Sequence, residues 1–279
     1  MKEYETDKIL NEILDYLTYY RVPEENVKYT TQQYITMAIQ CAELHKVAFS
    51  DKRYLNYGRD VVVCATGPSF DYFYPLENVY YIGVNNAYKS NKIKFDAIFC
   101  QDVRTISNGI LQKDFIEYRG NDCIKFVGNR QPMTNTANAK DYKIYRYMTE
   151  NSFNFDIDLT PLPDFCSVIF SAMSYALWTM PKRIFLVGAD CSLGHAKSLH
   201  TGHDSDATNL IDNWKQMSYY INKIYPDIDI ISVNPVGLRG LFKTEVYTEE
   251  FLNSDISKIK VKILKNDGSY SPLKIVDKI

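Results

Sequence analysis

Three of the chain's four histidines, His195, His200 and His203, fall close together in Ser192-Leu-Gly-His-Ala-Lys-Ser-Leu-His-Thr-Gly-His-Asp204. An imidazole titrates near neutral pH, so a histidine on a loop beside a ligand can take a proton from an acceptor hydroxyl. Zinc is the weaker use of this cluster. Its spacing lacks the close helical pairing of metal ligands, and only Asp204 or Asp190 offers a fourth donor. Surface histidines on a loop are the plain alternative. Asp102 and Asp190 each follow an apolar run directly. Carboxylates there can bind ribose or sugar hydroxyls or hold Mg²⁺ against phosphates, or simply cap the next helix. The amides of Asn85 and Asn86 suit a base edge or a sugar, although an Asn pair is also ordinary turn chemistry. Ser167 opens an apolar stretch and can offer a phosphate its hydroxyl together with a helix N-terminus. The sequence argues against a Ser-His-Asp hydrolase: there is no GxSxG elbow, and Ser69 follows a proline.

These residues need elements to position them. Val61 to Ala65 is a short, β-branched apolar run and reads as a strand buried on both faces. It stops at Thr66-Gly67-Pro68-Ser69. Gly67 lets a ligand approach the main chain, and Pro68 suits the first turn of a helix. The hydroxyls of Thr66 and Ser69 stand beside them. A strand, a Gly-containing turn and a helix start make a natural anion site. The sequence is neither GxGxxG nor a Walker loop, so an ordinary strand-to-helix turn fits equally well.

Further strands are expected over 79–84, 95–100, 122–127, 183–187 and 228–233, with helices over 167–180 and 206–225. Ahead of them, Ile9, Leu10, Ile13, Leu14 and Leu17 form one helical stripe. Val22-Pro23-Glu24-Glu25 breaks that helix, and a second is expected to open near Thr30 or Thr31. Residues 131–165, with prolines at 132, 161 and 163, read as an irregular insertion that can act as a lid. In the tail, Asn266-Asp267-Gly268 signals a hairpin, and the lysines at 258, 260 and 262 protect an exposed strand edge more than they mark a membrane patch.

The strands end in small or polar clusters: Thr66-Gly67-Pro68-Ser69, Asn85-Asn86, Gln101-Asp102, Gly188-Ala189-Asp190 and Asn234-Pro235. Ligands of open parallel α/β sheets bind outside the carboxyl ends of the strands. The expected fold is therefore α/β, a Rossmann-like, mostly parallel sheet flanked by helices. A nucleotide-binding domain spans 56–240, preceded by a helical cap over 1–55 and followed by a small β extension over 241–279.

The 279 residues carry 32 basic and 34 acidic side chains, a formal charge of −2 that makes no case for nucleic-acid binding. No run of 18 apolar residues predicts a transmembrane helix. The N-terminus lacks a signal peptide's basic start and apolar core. Six single cysteines without a CxxC pair indicate neither zinc nor a redox centre. A cytoplasmic setting is expected.

The order Gly67-Pro68-Ser69, Val84-Asn-Asn86, Phe95-Asp-Ala-Ile-Phe-Cys-Gln-Asp102, Ile184-Phe-Leu-Val-Gly-Ala-Asp190 and a His-containing loop resembles two related groups. One is the bacterial sialyltransferases of glycosyltransferase family 42. The other is the DUF115 group, with its flagellin-glycosylation proteins and 6-hydroxymethylpterin pyrophosphokinase-like enzymes. The resemblance covers about 60–240. It implies a glycosyltransferase that moves a sialic-acid-like sugar from a CMP-linked donor to a bacterial surface glycan.

It places Gly67, Pro68 and Ser69 under the donor phosphate and sugar, Asn85 or Asn86 against the nucleotide or the transferred sugar, and Ser167 on the donor. Thr66, Gly188 and Asp102 join the donor site by their places at the strand ends. The resemblance makes His203 the base, with His200 next, and Asp190 stands with these catalytic groups by its place directly after a strand. Two features depart from the sialyltransferases. Cys191-Ser192 stands where they have a Tyr, and Pro163-Asp164-Phe165-Cys166 where they have an Arg. The partners implied are donor and acceptor, with peripheral membrane contact and self-association left open and no resident cofactor required. The alternatives are an ATP-using, Mg²⁺-dependent pyrophosphokinase-like enzyme and a nucleotide-binding module without turnover.

Overall fold

The apolar runs pair into one nine-stranded sheet whose neighbours are all parallel. The computed structural model describes residues 23–101, 106–107, 110–129, 141–148, 157, 161–199, 206–259, 262–264 and 270–272. The sheet strands in chain order are β1 (Asp60–Cys64), β2 (Tyr80–Val84), β3 (Ala97–Cys100), β4 (Ile124–Asn129), β5 (Lys143–Met148), β6 (Leu162–Pro163), β7 (Arg183–Val187), β8 (Asp229–Val233) and β9 (Thr244–Val246). Their spatial order is β9-β8-β7-β1-β2-β3-β4-β5-β6. From β1 the chain steps outward to β6, then crosses back to lay β7 on the other flank of β1. The direction of winding therefore reverses between β1 and β7, where Val61 pairs with Ile184 and Cys64 with Val187.

β1 shows why these residues choose a central strand. Val61, Val62, Val63 and Cys64 are fully buried. Side chains alternate across a strand, so Val61 and Val63 enter one core layer while Val62 and Cys64 enter the other. The helices are α1 (Glu24–Phe49), α2 (Lys113–Glu117), α3 (Val168–Trp178), α4 (Ile211–Ile224) and α5 (Glu249–Leu252). All eleven residues of α3 are buried, as its nearly unbroken apolar sequence requires. One ring cluster ties α1 and α3 to the sheet on the Val61 and Val63 side. Phe126 stacks on Phe99 at 4.5 Å and on Phe49 at 5.2 Å, and Tyr175 of α3 lies 5.0 Å from Phe126. Burying each such ring stabilises the fold by about 1.5–3 kcal/mol.

The α/β reading holds, with corrections. Gly67-Pro68 leads into a short 3₁₀ turn, Pro68–Tyr72, instead of an α-helix. α1 starts at Glu24, ahead of the expected Thr30 or Thr31, because Pro23 precedes it and Glu24 and Glu25 meet the positive end of its dipole. The stripe at 9–17 lies outside the described residues. The 131–165 stretch is not irregular throughout, since it contributes β5 and β6 to the sheet. The sheet does not stop at 240, because β9 pairs with β8 beyond it. Nor does the core begin at 56, because Ala48 and Phe49 of α1 are part of it. The tail hairpin forms between β10 (Lys262–Leu264) and β11 (Tyr270–Pro272), with Leu264 opposite Tyr270. Its Asn-Asp-Gly turn lies outside the described residues.

Candidate functional site

A cavity of about 450 Å³ opens at the carboxyl ends of β1, β2, β3 and β7, bounded on its other side by the start of α3. It sits at the reversal of winding, the place where open α/β sheets bind ligands.

Its floor is the junction of β1 with β7. The Ala65 N–H donates to Val187 O and the Gly67 N–H to Gly188 O, both at 2.8 Å. A Cβ on Gly67 would lie 2.4 Å from Gly188 O and 2.6 Å from an Asp190 carboxylate oxygen. Gly188 has φ +67°, and a Cβ there would meet Ala65 O at 2.7 Å. Both glycines thus serve the close approach of two strand ends. Asp190, 3% exposed, is tied to the turn after β1: its Oδ2 accepts the Ser69 N–H at 2.6 Å and its Oδ1 the Ser69 hydroxyl at 2.5 Å. Burial pushes the Asp190 carboxyl up to about 6, against the two Ser69 hydrogen bonds and the charge of Arg239. Asp190 lines the cavity as an anchor of the Pro68 turn.

The ends of β2 and β3 form one wall. Asn85 takes φ +45°, a region Asn tolerates, and its Oδ1 accepts the Gln101 N–H at 3.0 Å. Asn86 behaves differently. It is 5% exposed, lines the cavity and makes no side-chain hydrogen bond among the described residues, so its amide faces the open space. Gln101, which the sequence places in a strand-end cluster without a role of its own, also lines the cavity. Its Nε2 donates to the Tyr145 hydroxyl at 2.7 Å and lies 3.4 Å from Ser171 Oγ, which itself donates to Pro163 O at 2.8 Å. Gly128 makes room for it, since a Cβ there would stand 2.6 Å from Gln101 Cγ. The only hint in the sequence was Gln101's place directly after a strand.

α3 supplies the opposite wall. Ser167 is its N-cap in extended conformation, φ −149°, yet the Ser167 hydroxyl makes no capping bond. The Phe170 N–H finds Ser167 O at 3.2 Å. The N–H groups of Val168 and Ile169, in the first turn beside the cavity, have no partner among the described residues. The bend from β6 into α3 runs through Phe165 and Cys166 at φ +40° and +65°. An uncapped helix start with a free hydroxyl favours an anion.

The chain after β7 closes the rim. His195 lines the cavity, with its Nδ1 3.0 Å from Thr66 Oγ1 and 3.3 Å from Thr66 O. The Asp71 carboxylate accepts the Lys197 N–H at 2.8 Å and the Ser198 hydroxyl, which fixes this segment to the turn after β1. Asp206 also lines the cavity, and hydrogen bonds from Thr208 hold its carboxyl below the usual range. Asp102, His200 and His203 lie outside the described residues. The structure thus brings together Thr66, Gly67, Asn85, Asn86, Ser167, Gly188 and Asp190 around one space, with Pro68 and Ser69 in the turn beneath. Among the described residues, no three His, Cys, Asp or Glu side chains converge as metal ligands.

No protein-family model matches the chain, and no curated protein matches it. Among solved structures, the sialyltransferase CstII from Campylobacter jejuni, in complex with the substrate analogue CMP-3FNeuAc, aligns with a TM-score of 0.37 at 13% identity, over 72% of this chain and 100% of that one. The same enzyme with cytidine-5'-monophosphate gives 0.37 at 12% identity, over 73% and 100%. The MAf glycosyltransferase from Magnetospirillum magneticum AMB-1 is similar with a TM-score of 0.46 at 13% identity, over 89% of this chain and 45% of that one, so the chain spans less than half of that protein's length.

Proposed function

We propose that the cavity at the β1–β7 reversal holds the phosphate of a nucleotide-activated sugar, and that the protein is a glycosyltransferase. One observation carries this reading: the uncapped start of α3 opens into the same space as the unpartnered Asn86 amide. A phosphate at Ser167 takes the hydroxyl and the first-turn N–H groups. Its charge grows as the sugar leaves, and fixed donors stabilise growing charge without reorganising. The Asn86 amide, both donor and acceptor, then reads a ribose or sugar hydroxyl or a base edge.

The acceptor hydroxyl needs a base. In this proposal that base is His203, with His200 next, from the segment between Leu199 and the cavity-lining Asp206. The donor is CMP-linked and sialic-acid-like, the acceptor a bacterial surface glycan, and no resident cofactor is required.

The test is a thermal-shift panel of nucleotides with and without Mg²⁺, because a ligand selective for the folded state raises the melting temperature by mass action. CMP or CDP should stabilise the protein without metal. Stabilisation by ATP alone, and only with Mg²⁺, would transfer the site to pyrophosphate transfer. His203→Ala should keep the CMP shift and lose sugar transfer; a variant with unchanged turnover removes His203 from the mechanism.

A further inference from the structure

The sheet edge opposite the cavity has its own chemistry. Between α1 and β1, Tyr54, Leu55 and Tyr57 are 54%, 38% and 75% exposed, and Val47 on the last turn of α1 is 48% exposed. This is no fraying loop. Asn56 is fully buried beneath it, donating its N–H to Thr179 O at 3.1 Å and its Nδ2 to Thr179 Oγ1 at 3.0 Å. The Arg53 guanidinium lies 4.4 Å over the Trp178 ring and 5.3 Å from that of Tyr54. Tyr54 and Tyr57 meet edge to face at 6.5 Å, and the Lys182 N–H donates to Arg59 O at 2.8 Å. A buried support therefore holds apolar side chains out in water, two of them in ring contact, and exposed apolar side chains that gather in this way mark an interaction surface.

Basic side chains outnumber acidic ones on the segments that carry these rings. Asp51 pairs with Lys52 and Asp60 with Arg183, which also feels Asp229. Lys46, Arg53, Arg59 and Lys182 make no ion pair among the described residues. On a chain of net charge −2, four exposed cations without an ion pair on the segments that carry these tyrosines are a local feature, with Lys182 alone of them in the field of Asp60.

We propose that this face docks on the anionic headgroup layer of a membrane. Tyr54 and Tyr57 have an apolar ring and a polar tip, the combination that settles at headgroup depth. Leu55 and Val47 enter the acyl boundary, while the four cations meet lipid phosphates. The two aliphatic side chains favour a bilayer over a nucleic acid, whose phosphates offer them nothing. With this edge on the membrane, the cavity at the other end of the strands faces water, from which a soluble donor arrives.

The test is co-sedimentation of the full chain with vesicles of phosphatidylcholine alone or mixed with phosphatidylglycerol. The protein should sediment with the mixed vesicles, and both high salt and omission of phosphatidylglycerol should release it. Arg59→Glu with Lys182→Glu should weaken partitioning roughly tenfold or more. Tyr54→Ser with Tyr57→Ser should weaken it severalfold, with melting temperatures preserved because these side chains are exposed. Equal sedimentation with both vesicle types, sedimentation with neither, or double variants that partition like the parent would each overturn the proposal. So would retention of single-stranded RNA in place of vesicles, which would assign the face to nucleic acid.

Discussion

Asp190 and Ser69, 121 residues apart, are joined twice: the Ser69 N–H and hydroxyl each reach a different oxygen of the Asp190 carboxylate, at 2.6 and 2.5 Å. This double contact turns the end of β7 into a lock for the turn after β1. It also buries a group that titrates.

Stability should therefore depend on pH through Asp190. Its carboxyl moves from an ordinary 3.8 to about 6 on folding, chiefly through burial. Between those values the folded state holds a proton that the unfolded chain has lost. No cost applies below about 4, and it accumulates as pH rises, complete above about 6 at about 3 kcal/mol. Denaturant unfolding across this window should show Asp190→Asn losing less stability with rising pH than the parent. Parallel pH curves would refute the assignment.

Ser69→Ala removes the hydroxyl donor that holds the carboxylate's charged form. At pH 7 it should cost about 1–3 kcal/mol, as expected for a hydrogen bond to a buried charged group. A urea midpoint unchanged from the parent would mean that the contact contributes nothing.

Gly67→Ala and Gly188→Ala should both weaken the floor of the cavity. The first sets a Cβ 2.4 Å from Gly188 O. The second adds left-handed strain at φ +67° to a 2.7 Å approach to Ala65 O. Each contact is with backbone that cannot swing away, so losses of about 1–3 kcal/mol or more are expected in denaturant unfolding. Gly58→Ala is the control for strain without crowding, since φ is +74° there and no atom lies within 4 Å of its Cβ position.

Where side chains were β-branched and apolar, the chain was legible. The runs at Val61, Ile184 and Ile230 are the strands β1, β7 and β8, and the clusters after β1 and β7 line one cavity, whereas Asn234 after β8 is bonded to Thr248 and Tyr72 instead. β5 was hidden because Lys143-Ile-Tyr-Arg-Tyr-Met148 mixes charges and tyrosines, and only pairing with β4 makes it a strand. Leu162–Pro163 and Thr244–Val246 are short edge strands, the place where Pro and half-exposed residues are tolerated. The partners of Asp190 and Gln101 lie far away in sequence, at Ser69 and Tyr145. No local pattern reports whether a carboxylate or amide is already engaged.

Ser167→Ala separates binding from stability. An N-cap hydroxyl normally contributes about 1 kcal/mol through its capping bond, but Ser167 makes none. The substitution should thus leave the melting temperature nearly unchanged. If the hydroxyl meets a phosphate, nucleotide affinity should fall about tenfold or more, the range for a hydrogen bond to a charged group. Calorimetric titration with CMP measures this; unaltered affinity would move the phosphate away from α3.

Cys166 should report occupancy of the same cavity. Of the six cysteines it alone is exposed, and it lines the cavity one residue before Ser167. Burial raises the thiols of Cys41 and Cys123 to about 12 and those of Cys64 and Cys191 beyond, so they react slowly. A disulfide reagent should titrate one thiol per native chain, and Cys166→Ser should abolish that reaction. A nucleotide seated against α3 covers the neighbouring bend, so CMP should slow labelling at Cys166. Labelling at the same rate in saturating CMP would place the nucleotide elsewhere, even where the thermal shift shows that it binds.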